Sequence, residues 1–477
     1  MLFGGDSRQI KRKSRKRTVA KKSKPVYEFI RPGRTRLMDF EGYHKGIFDA
    51  LKDSDRQVYE LLAAEHRRFR DSIQLIAAEN YCSQAVLAAL GSVVQNKTSE
   101  GVPGDRLHAG SGVVDEIEEL AARRACRVFS AKYANVQPHS GTQANQIVLA
   151  AILAKDDRIL GLGLGQGGHP SHGDYSSFTG RIFQTHSYGV DKNSFLLDYE
   201  AVRRKALEIR PKLIICGASA YSRVIDFAAF REIADEAGSY LLADISHIAG
   251  LIMAGAHPSS IEHAHFTTTS TYKPGGPRGG LILMGNQRDK EVCGVALAEL
   301  IDKATFPGVQ GTPYLNNIAA KAAFFKEAAS SEYQQRQFRI IENAKSLAGE
   351  LCRLGYDVVT GGTDNHMVLV DISRFKKGLT GVIVQDCLEK CGIITNMTRL
   401  PCETADASVA SGIRLGTPIV TKNGMSSAEM AEIAGLIDVV VKNVRPVNQK
   451  EYELDESIQR RVQSEVIKLA RRFTLIY

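Results

Sequence analysis

The sequence predicts an α/β fold, with a mostly parallel sheet in a large domain and a smaller α/β domain at the C-terminal end. Two patterns carry this expectation. Short apolar runs alternate with helical patterns from about residue 56 to residue 284. A Pro- and Gly-rich turn, Pro307-Gly-Val-Gln-Gly-Thr-Pro313, then opens a long helical stretch through Leu354. The length of 477 residues adds a third argument, being more than one core ordinarily spans. The expected organisation is a basic, disordered extension over residues 1–44, an N-terminal arm and large domain over 45–325, and a small domain over 326–477.

Taken in order, the N-terminal stretch comes first. Residues 1–36 hold 13 Lys and Arg against Asp6 and Glu28, which leaves 62 − 13 = 49 basic and 53 − 2 = 51 acidic residues elsewhere. The net charge of +9 therefore belongs to one end, and a near-neutral body gives no reason to expect a nucleic-acid partner. That end lacks the apolar run of a secretory signal or membrane helix. An amphipathic helix, Gln57 to Phe69, leads into Ile73-Gln-Leu-Ile-Ala-Ala-Glu-Asn80. Strands are then expected at Tyr133–Pro138, Arg158–Leu162, Leu213–Cys216, Tyr240–Asp244, Phe266–Thr269 and Gly280–Met284, with helices such as Thr142–Leu153 and Phe227–Glu236 between them. Alternation of this kind implies helices on both faces of the sheet and a ligand crevice at the strand ends. The small domain is expected to contain strands near Asp357–Thr360 and Met367–Asp371. Eight cysteines without Cys-x-x-Cys pairs or regular ligand spacing read as reduced thiols of a cytoplasmic protein, with no metal site.

A lysine between a strand and a Gly-rich turn is common, so Lys273, in Ser270-Thr-Tyr-Lys273-Pro-Gly-Gly-Pro-Arg278, is weak evidence by itself. Its companions are more specific. Tyr240-Leu-Leu-Ala-Asp244 is an apolar strand ending in an acid, and a carboxylate there can hold a pyridine nitrogen protonated. His247 follows three residues later. Upstream, His139-Ser140-Gly141-Thr142 stands between a strand and a helix, where backbone N–H groups and hydroxyls suit a phosphate dianion. A phosphate turn, Asp-x-x-His and a lysine, in that order, are three corners of a pyridoxal-phosphate site.

These residues sit in longer motifs: Leu75-Ile-Ala-Ala-Glu-Asn80, Ser99-Glu100-Gly-Val-Pro-Gly104, Val136-Gln-Pro-His-Ser-Gly-Thr142, Gly167-Gly-His169-Pro-Ser-His172-Gly, Asp244-Ile-Ser-His247, Gly361-Gly-Thr-Asp-Asn-His366 and Ser411-Gly-Ile-Arg414-Leu-Gly-Thr-Pro418. From about residue 45 to the end the chain resembles the serine hydroxymethyltransferases. The resemblance implies the fold-type I architecture of pyridoxal-phosphate-dependent transferases (aspartate aminotransferase-like). It also implies a homodimer or homotetramer with active sites shared between subunits. Pyridoxal 5'-phosphate would be carried as a Schiff base on Lys273, with tetrahydrofolate as cosubstrate. His169 would stack on the pyridine, Asp244 would pair with its nitrogen, and Ser140, Gly141 and Thr142 would hold the phosphate. Ser219 and His247 would contact the phenolic oxygen. Arg414 would clamp the amino-acid carboxylate through a bidentate pair, and Glu100 would act as acid and base near the substrate hydroxyl and the folate. Leu164, Gly167 and Gly168 match the folate-contacting stretch.

The chain departs from the family pattern near the substrate. Thr98 replaces a Tyr, Leu107-His108-Ala109-Gly110 replaces Tyr-Tyr-Gly-Gly, and Tyr272 stands where a His precedes the lysine. Pro170 replaces a Leu in the folate stretch, and Thr398 and Arg399 stand where an Asn and a small polar residue are usual. Smaller side chains at Thr98 and His108 would leave room for one extra methyl at the substrate α-carbon, worth about 0.8 kcal/mol if buried. The favoured expectation is thus a hydroxymethyltransferase acting on 2-methylserine and D-alanine. The alternatives are ordinary serine and glycine as substrates, or a folate-independent aldolase or threonine-type transaldolase.

Overall fold

A computed structural model of the chain describes residues 46–401, 403, 406 and 408–473, and the basic extension expected over 1–44 lies outside them. The chain divides into two units, one up to Arg67 and one from Arg68 onward. The first unit contains the described helix Ile47–Ser54 and most of the helix Arg56–Arg70. Among the described residues no helix is long and apolar enough to cross a membrane.

The second unit is organised by a seven-stranded sheet. Its strands are β1 (Tyr133–Asn135), β2 (Arg158–Leu162), β3 (Gln184–Tyr188), β4 (Leu213–Cys216), β5 (Tyr240–Asp244), β6 (Phe266–Ser270) and β7 (Gly280–Met284). They lie in the order β1-β7-β6-β5-β4-β2-β3. Neighbours from β6 through β3 run parallel, whereas β7 is antiparallel to both β6 and β1. Strands β2, β4, β5 and β7 read as near-continuous apolar runs because both faces are buried. Alternate residues of each run enter different cores: Leu213, Ile215, Leu242 and Ile282 pack on one face, and Ile214, Leu241, Ala243 and Leu281 on the other. Helix α1 (Gly112–Phe129), α3 (Tyr199–Ile209) and α4 (Phe227–Ala237) supply apolar side chains to the second face, and α2 (Gly141–Ile152) to the first.

The helical stretch expected through Leu354 is two helices, α5 (Leu315–Ala328) and α6 (Ser331–Arg353). The break falls where Ser330 turns its hydroxyl back to accept from the Tyr333 N–H at 3.2 Å, an N-cap that starts a new helix. Beyond it, β8 (Asp357–Val358), β9 (Met367–Asp371), β10 (Asn396–Thr398) and β11 (Gly412–Gly416) form an antiparallel sheet in the order β8-β9-β11-β10. Val368, Val370, Ile413 and Leu415 pack with Ile383, Ile433 and Ile437 in a separate core. Ile73 and Leu75 belong to this same core, and Ile73–Gln74 pairs in parallel with Ile393–Ile394. The early segment Leu75-Ile-Ala-Ala-Glu-Asn80 is thereby brought beside β11, where the Gly416 N–H donates to the Leu75 carbonyl at 2.7 Å.

Candidate active site

The carboxyl ends of β4, β5 and β6 and the first residues of α2 surround a cavity of about 180 Å³. Ligands in open α/β sheets bind at such strand ends. Ser140, Gly141 and Thr142 form one end. Ser140 caps α2 by accepting from the Gln143 N–H at 3.1 Å. Gly141 is closely packed, since a Cβ there would stand 3.1 Å from the Ser270 backbone nitrogen and Ser270 would have to give way by a few tenths of an ångström. A tight backbone turn at a helix N-terminus is thus presented to the cavity, with unsatisfied N–H groups and a positive dipole end.

Asp244 stands at the end of β5 and is 8% exposed. Its Oδ1 accepts from the Ser246 N–H at 3.0 Å and hydroxyl at 2.6 Å. Its Oδ2 accepts from Asn145 Nδ2 at 2.9 Å and meets His172 Nε2 at 3.1 Å. Burial alone would push this carboxyl up, but the His172 hydrogen bond and charge, joined by Ser246, outweigh burial and hold it well below the usual range. Asn145 is itself oriented by the Thr268 hydroxyl, which donates to its Oδ1 at 2.6 Å. The carboxylate is therefore ionised and fixed.

Three histidines flank it. His169 accepts at Nδ1 from the Ser171 N–H at 3.2 Å, and burial lowers its pKa to about 4, so the ring is neutral near pH 7. His247 is pushed well below the ordinary value by burial and by the charges of Lys273 and Arg414. It lies parallel to His366, with ring centroids 5.6 Å apart and Nδ1 3.4 Å from His366 Nε2. His366 Nε2 is also 3.1 Å from the Ala77 carbonyl. A carbonyl can only accept, so Nε2 of His366 carries the proton and His247 Nδ1 faces a donor. This leaves the His247 proton on Nε2.

Lys273 donates from Nζ to Ser270 Oγ at 3.1 Å. The Tyr272 ring meets two cations, with Arg278 Cζ 4.1 Å and Lys273 Nζ 4.7 Å from its centroid. Both Tyr272 and Lys273 also border a second cavity of about 430 Å³, which shares His169, Ser219 and His247 with the first. Arg414 lines the second cavity. Its Nη1 donates to the Ser219 carbonyl and its Nε to Asn396 Oδ1 at 3.3 Å. Burial lowers its pKa to about 10, so it stays charged near neutrality. Among the described residues no carboxylate pairs with it.

Of the residues expected from the sequence, Ser140, Gly141, Thr142, His169, Ser219, Asp244, His247, Tyr272 and Lys273 line the first cavity. Leu164, Gly167, Gly168, Pro170, Thr398 and Arg414 line the second. Thr98, Glu100 and His108 border neither. His108 Nδ1 accepts from the Glu100 N–H at 3.4 Å, and Glu100 Oε1 lies 3.0 Å from where a Cβ on Gly311 would stand.

Sequence reasoning missed Asn145 and the role of His172 in holding Asp244. It also missed Lys321, whose Nζ donates to the carbonyls of Val136 at 2.6 Å, Gly280 at 2.8 Å and Pro138 at 3.2 Å beneath the phosphate turn. Burial lowers its pKa to about 7. Lys321→Met, which takes the buried amine away from all three carbonyls while that of Pro138 keeps the Gly280 N–H at 2.8 Å, is expected to destabilise the fold by about 3 kcal/mol, read as a lower urea midpoint with an unchanged m-value. A lysine among the apolar residues of α5 was the available signal.

Acid sensitivity follows from the buried histidines. His265 and His366, 1% and 3% exposed, are lowered by burial to about 3 from the ordinary value of 6.5. Protonation therefore favours the unfolded chain. Their contribution is intact above pH 6.5 and is lost as pH falls toward 3, at about 1.4 kcal/mol per pH unit for each. Denaturant titrations at pH 7, 6 and 5 should show a progressive fall in stability.

The donor set fits pyridoxal phosphate: a phosphate turn, a fixed carboxylate, a neutral aromatic face and a primary amine surround one cavity. A family model described as serine hydroxymethyltransferase matches residues 51–437. The chain is also 45% identical over 431 residues to the serine hydroxymethyltransferase of Wolbachia pipientis wMel, covering 90% of this chain and 98% of that protein. The chain therefore belongs to the serine hydroxymethyltransferase family, as a fold-type I, pyridoxal-phosphate-dependent hydroxymethyltransferase with tetrahydrofolate as cosubstrate.

Proposed function

We propose that the amino-acid pair is serine and glycine, with the one-carbon unit carried to tetrahydrofolate. The observation that carries an amino-acid substrate is the buried Arg414 guanidinium without a carboxylate partner among the described residues, facing a cavity that adjoins Lys273, although it serves either amino-acid pair. The choice of serine is supported by the name of the Wolbachia relative, matched over nearly its whole length.

In this reading Arg414 takes the amino-acid carboxylate and so fixes the substrate's orientation. Lys273, at the boundary of the two cavities, holds the cofactor and moves a proton at the substrate α-carbon. Ser140, Gly141 and Thr142 bind the phosphate, and the neutral His169 offers an aromatic face. The His247 Nε2–H, together with Ser219, serves the phenolic oxygen. Ionised Asp244 keeps a proton on the ring nitrogen. Pyridoxal phosphate, when bound, supplies the electron sink for bond cleavage at the α-carbon. Leu164, Gly167, Gly168, Pro170 and Thr398 would receive the folate.

Glu100, Thr98 and His108 stand away from their own chain's cavities, so we infer that they serve the site of a second subunit. Leu107, 70% exposed on that segment, and Tyr314, 50% exposed and three residues after the Gly311 that Glu100 approaches, support an interface there. A homodimer is the smallest assembly that provides this, and a homotetramer of such dimers would do so equally. We further take 325/326 as the boundary between large and small domains.

The second reading, 2-methylserine and D-alanine, rests on Tyr272, which borders both cavities, and on the small Thr98. Thr98 frees volume only in a shared site, which makes this the weaker argument. Purified protein given L-serine and tetrahydrofolate is expected to yield glycine and methylene-tetrahydrofolate, while D-alanine with methylene-tetrahydrofolate should give no 2-methylserine. Reaction with D-alanine and none with glycine would reverse the assignment. Turnover with free formaldehyde and no folate would favour an aldolase.

A further inference from the structure

The second cavity is lined by three side-chain cations, Lys273, Arg399 and Arg414, and, among the described residues, by no Asp or Glu. An amino-acid substrate carries one carboxylate, and Arg414 at the inner end suffices for it. Arg399 is therefore a surplus positive charge. It sits elsewhere on the wall, against the turn Leu164–Gln166: its Cζ lies 3.7 Å from where a Cβ on Gly165 would stand. Nε of Arg399 is buried and has no hydrogen-bond partner among the described residues. One terminal nitrogen makes a long 3.5 Å contact to the Glu403 carbonyl.

Acids on the adjoining segment are engaged otherwise. The Glu403 carboxylate accepts from the Leu400 N–H and the Ser411 hydroxyl, both at 2.8 Å, and Asp406 accepts from the Ser408 N–H at 2.7 Å. Among the described residues Arg399 has no ion pair within 4 Å with either, although its charge is a minor contributor, after the Ser408 hydrogen bonds, to holding the exposed Asp406 carboxyl below the usual range.

Leu164 is 39% exposed and Pro170 is exposed, so this part of the cavity is its rim. A folate has a polar bicyclic ring, a flat aminobenzoyl bridge and a glutamyl tail with two carboxylates. With the reacting ring placed inward near Lys273, the bridge crosses the apolar rim and the tail emerges at the outer wall. We propose that Arg399 binds a carboxylate of the folate glutamyl tail, an assignment that rests on the second cavity receiving folate. Anion recognition there breaks no direct ion pair of Arg399 among the described residues, and the planar guanidinium suits a carboxylate.

The test uses the holoenzyme with saturating glycine and compares tetrahydrofolate with tetrahydropteroate, which lacks the glutamate. Arg399→Ala is expected to weaken tetrahydrofolate binding about tenfold, as for a partly exposed charge-assisted contact, and to change tetrahydropteroate binding less than about twofold. Arg399→Lys should restore part of the loss, and the glycine Kd without folate should not move. An equal loss for both folates, or no loss for tetrahydrofolate, would overturn the assignment. So would a weaker glycine Kd, which would put Arg399 on the amino-acid carboxylate. Wild-type protein that binds tetrahydropteroate and tetrahydrofolate equally overturns this proposal alone; wild-type protein that binds neither overturns the folate site as well.

Discussion

Lys273→Ala is expected to remove covalent attachment of the cofactor and to lower turnover by on the order of a thousandfold or more, the scale seen when a central catalytic group is deleted. The geometry separates Lys273 from its competitors. Lys321 lies under the phosphate turn, but its amine is engaged with three carbonyls and does not border the cavity. Lys422 donates to the Tyr81 carbonyl and borders a different, much smaller cleft. Lys273 alone among these reaches the wall shared by both cavities, and its amine's single hydrogen bond among the described residues is to the Ser270 hydroxyl, which is easily exchanged. Borohydride reduction of the holoenzyme followed by peptide mass spectrometry should place the cofactor adduct on Lys273. In Lys273→Ala, the adduct should be absent while the circular-dichroism spectrum and urea midpoint stay near wild type, because the lysine is only partly buried. An adduct on Lys321 or Lys422 would mean that the anchor lies elsewhere. Lys273→Arg should fail equally, since a guanidinium keeps its charge without offering a free amine.

Much of the fold was legible because its signals are local. Strands at Arg158–Leu162, Leu213–Cys216, Tyr240–Asp244 and Gly280–Met284 coincide with their apolar runs. A strand buried on both faces needs no alternation to be recognised. The reversal of β7 left no mark in composition, but it was available from length: nine residues, 271–279, separate β6 from β7, too few for the crossover that parallel neighbours need. Segment 73–75 was harder. Its pairing partner, Ile393–Ile394, is more than 300 residues away, and no periodicity encodes such a distance. At the site, motifs named the residues that point into the cavity but not those behind them. Asn145 reads as an ordinary polar position of α2, although it is fully buried and bonded to Asp244. The positions of Thr98, Glu100 and His108 show the opposite limit: motif proximity does not mean proximity to the same chain's cavity.

Asp244→Asn is expected to retain the fold and lose on the order of a thousandfold in turnover, comparable to removing a preorganised electrostatic group. The substitution preserves shape but not charge, and the surrounding hydrogen bonds make the distinction severe. Asp244 receives four donors: the Ser246 N–H and hydroxyl, the Asn145 amide and the His172 N–H. An amide in its place has one oxygen to accept with, and its NH2 faces groups that also donate. His172 cannot relieve the conflict freely, because its Nδ1 lies 3.4 Å from the His169 N–H and needs to remain an acceptor there. Asn145 is likewise held, its oxygen receiving the Thr268 hydroxyl. At least one buried donor is therefore left unsatisfied, which adds a stability loss of about 1–3 kcal/mol to the catalytic loss. Asp244→Ala leaves all four donors without an acceptor and should be the less stable protein, so urea midpoints ordered wild type, Asn, Ala would support this network. The catalytic loss has its own readout: both variants should still bind cofactor phosphate through Ser140, Gly141 and Thr142, yet lose turnover to a similar extent. Asp244→Glu, with the charge restored on a longer arm, should recover part of the turnover. If Asn instead matched wild-type turnover, a neutral partner would suffice for the ring nitrogen, and ionised Asp244 would be a structural anchor for His172 and Ser246.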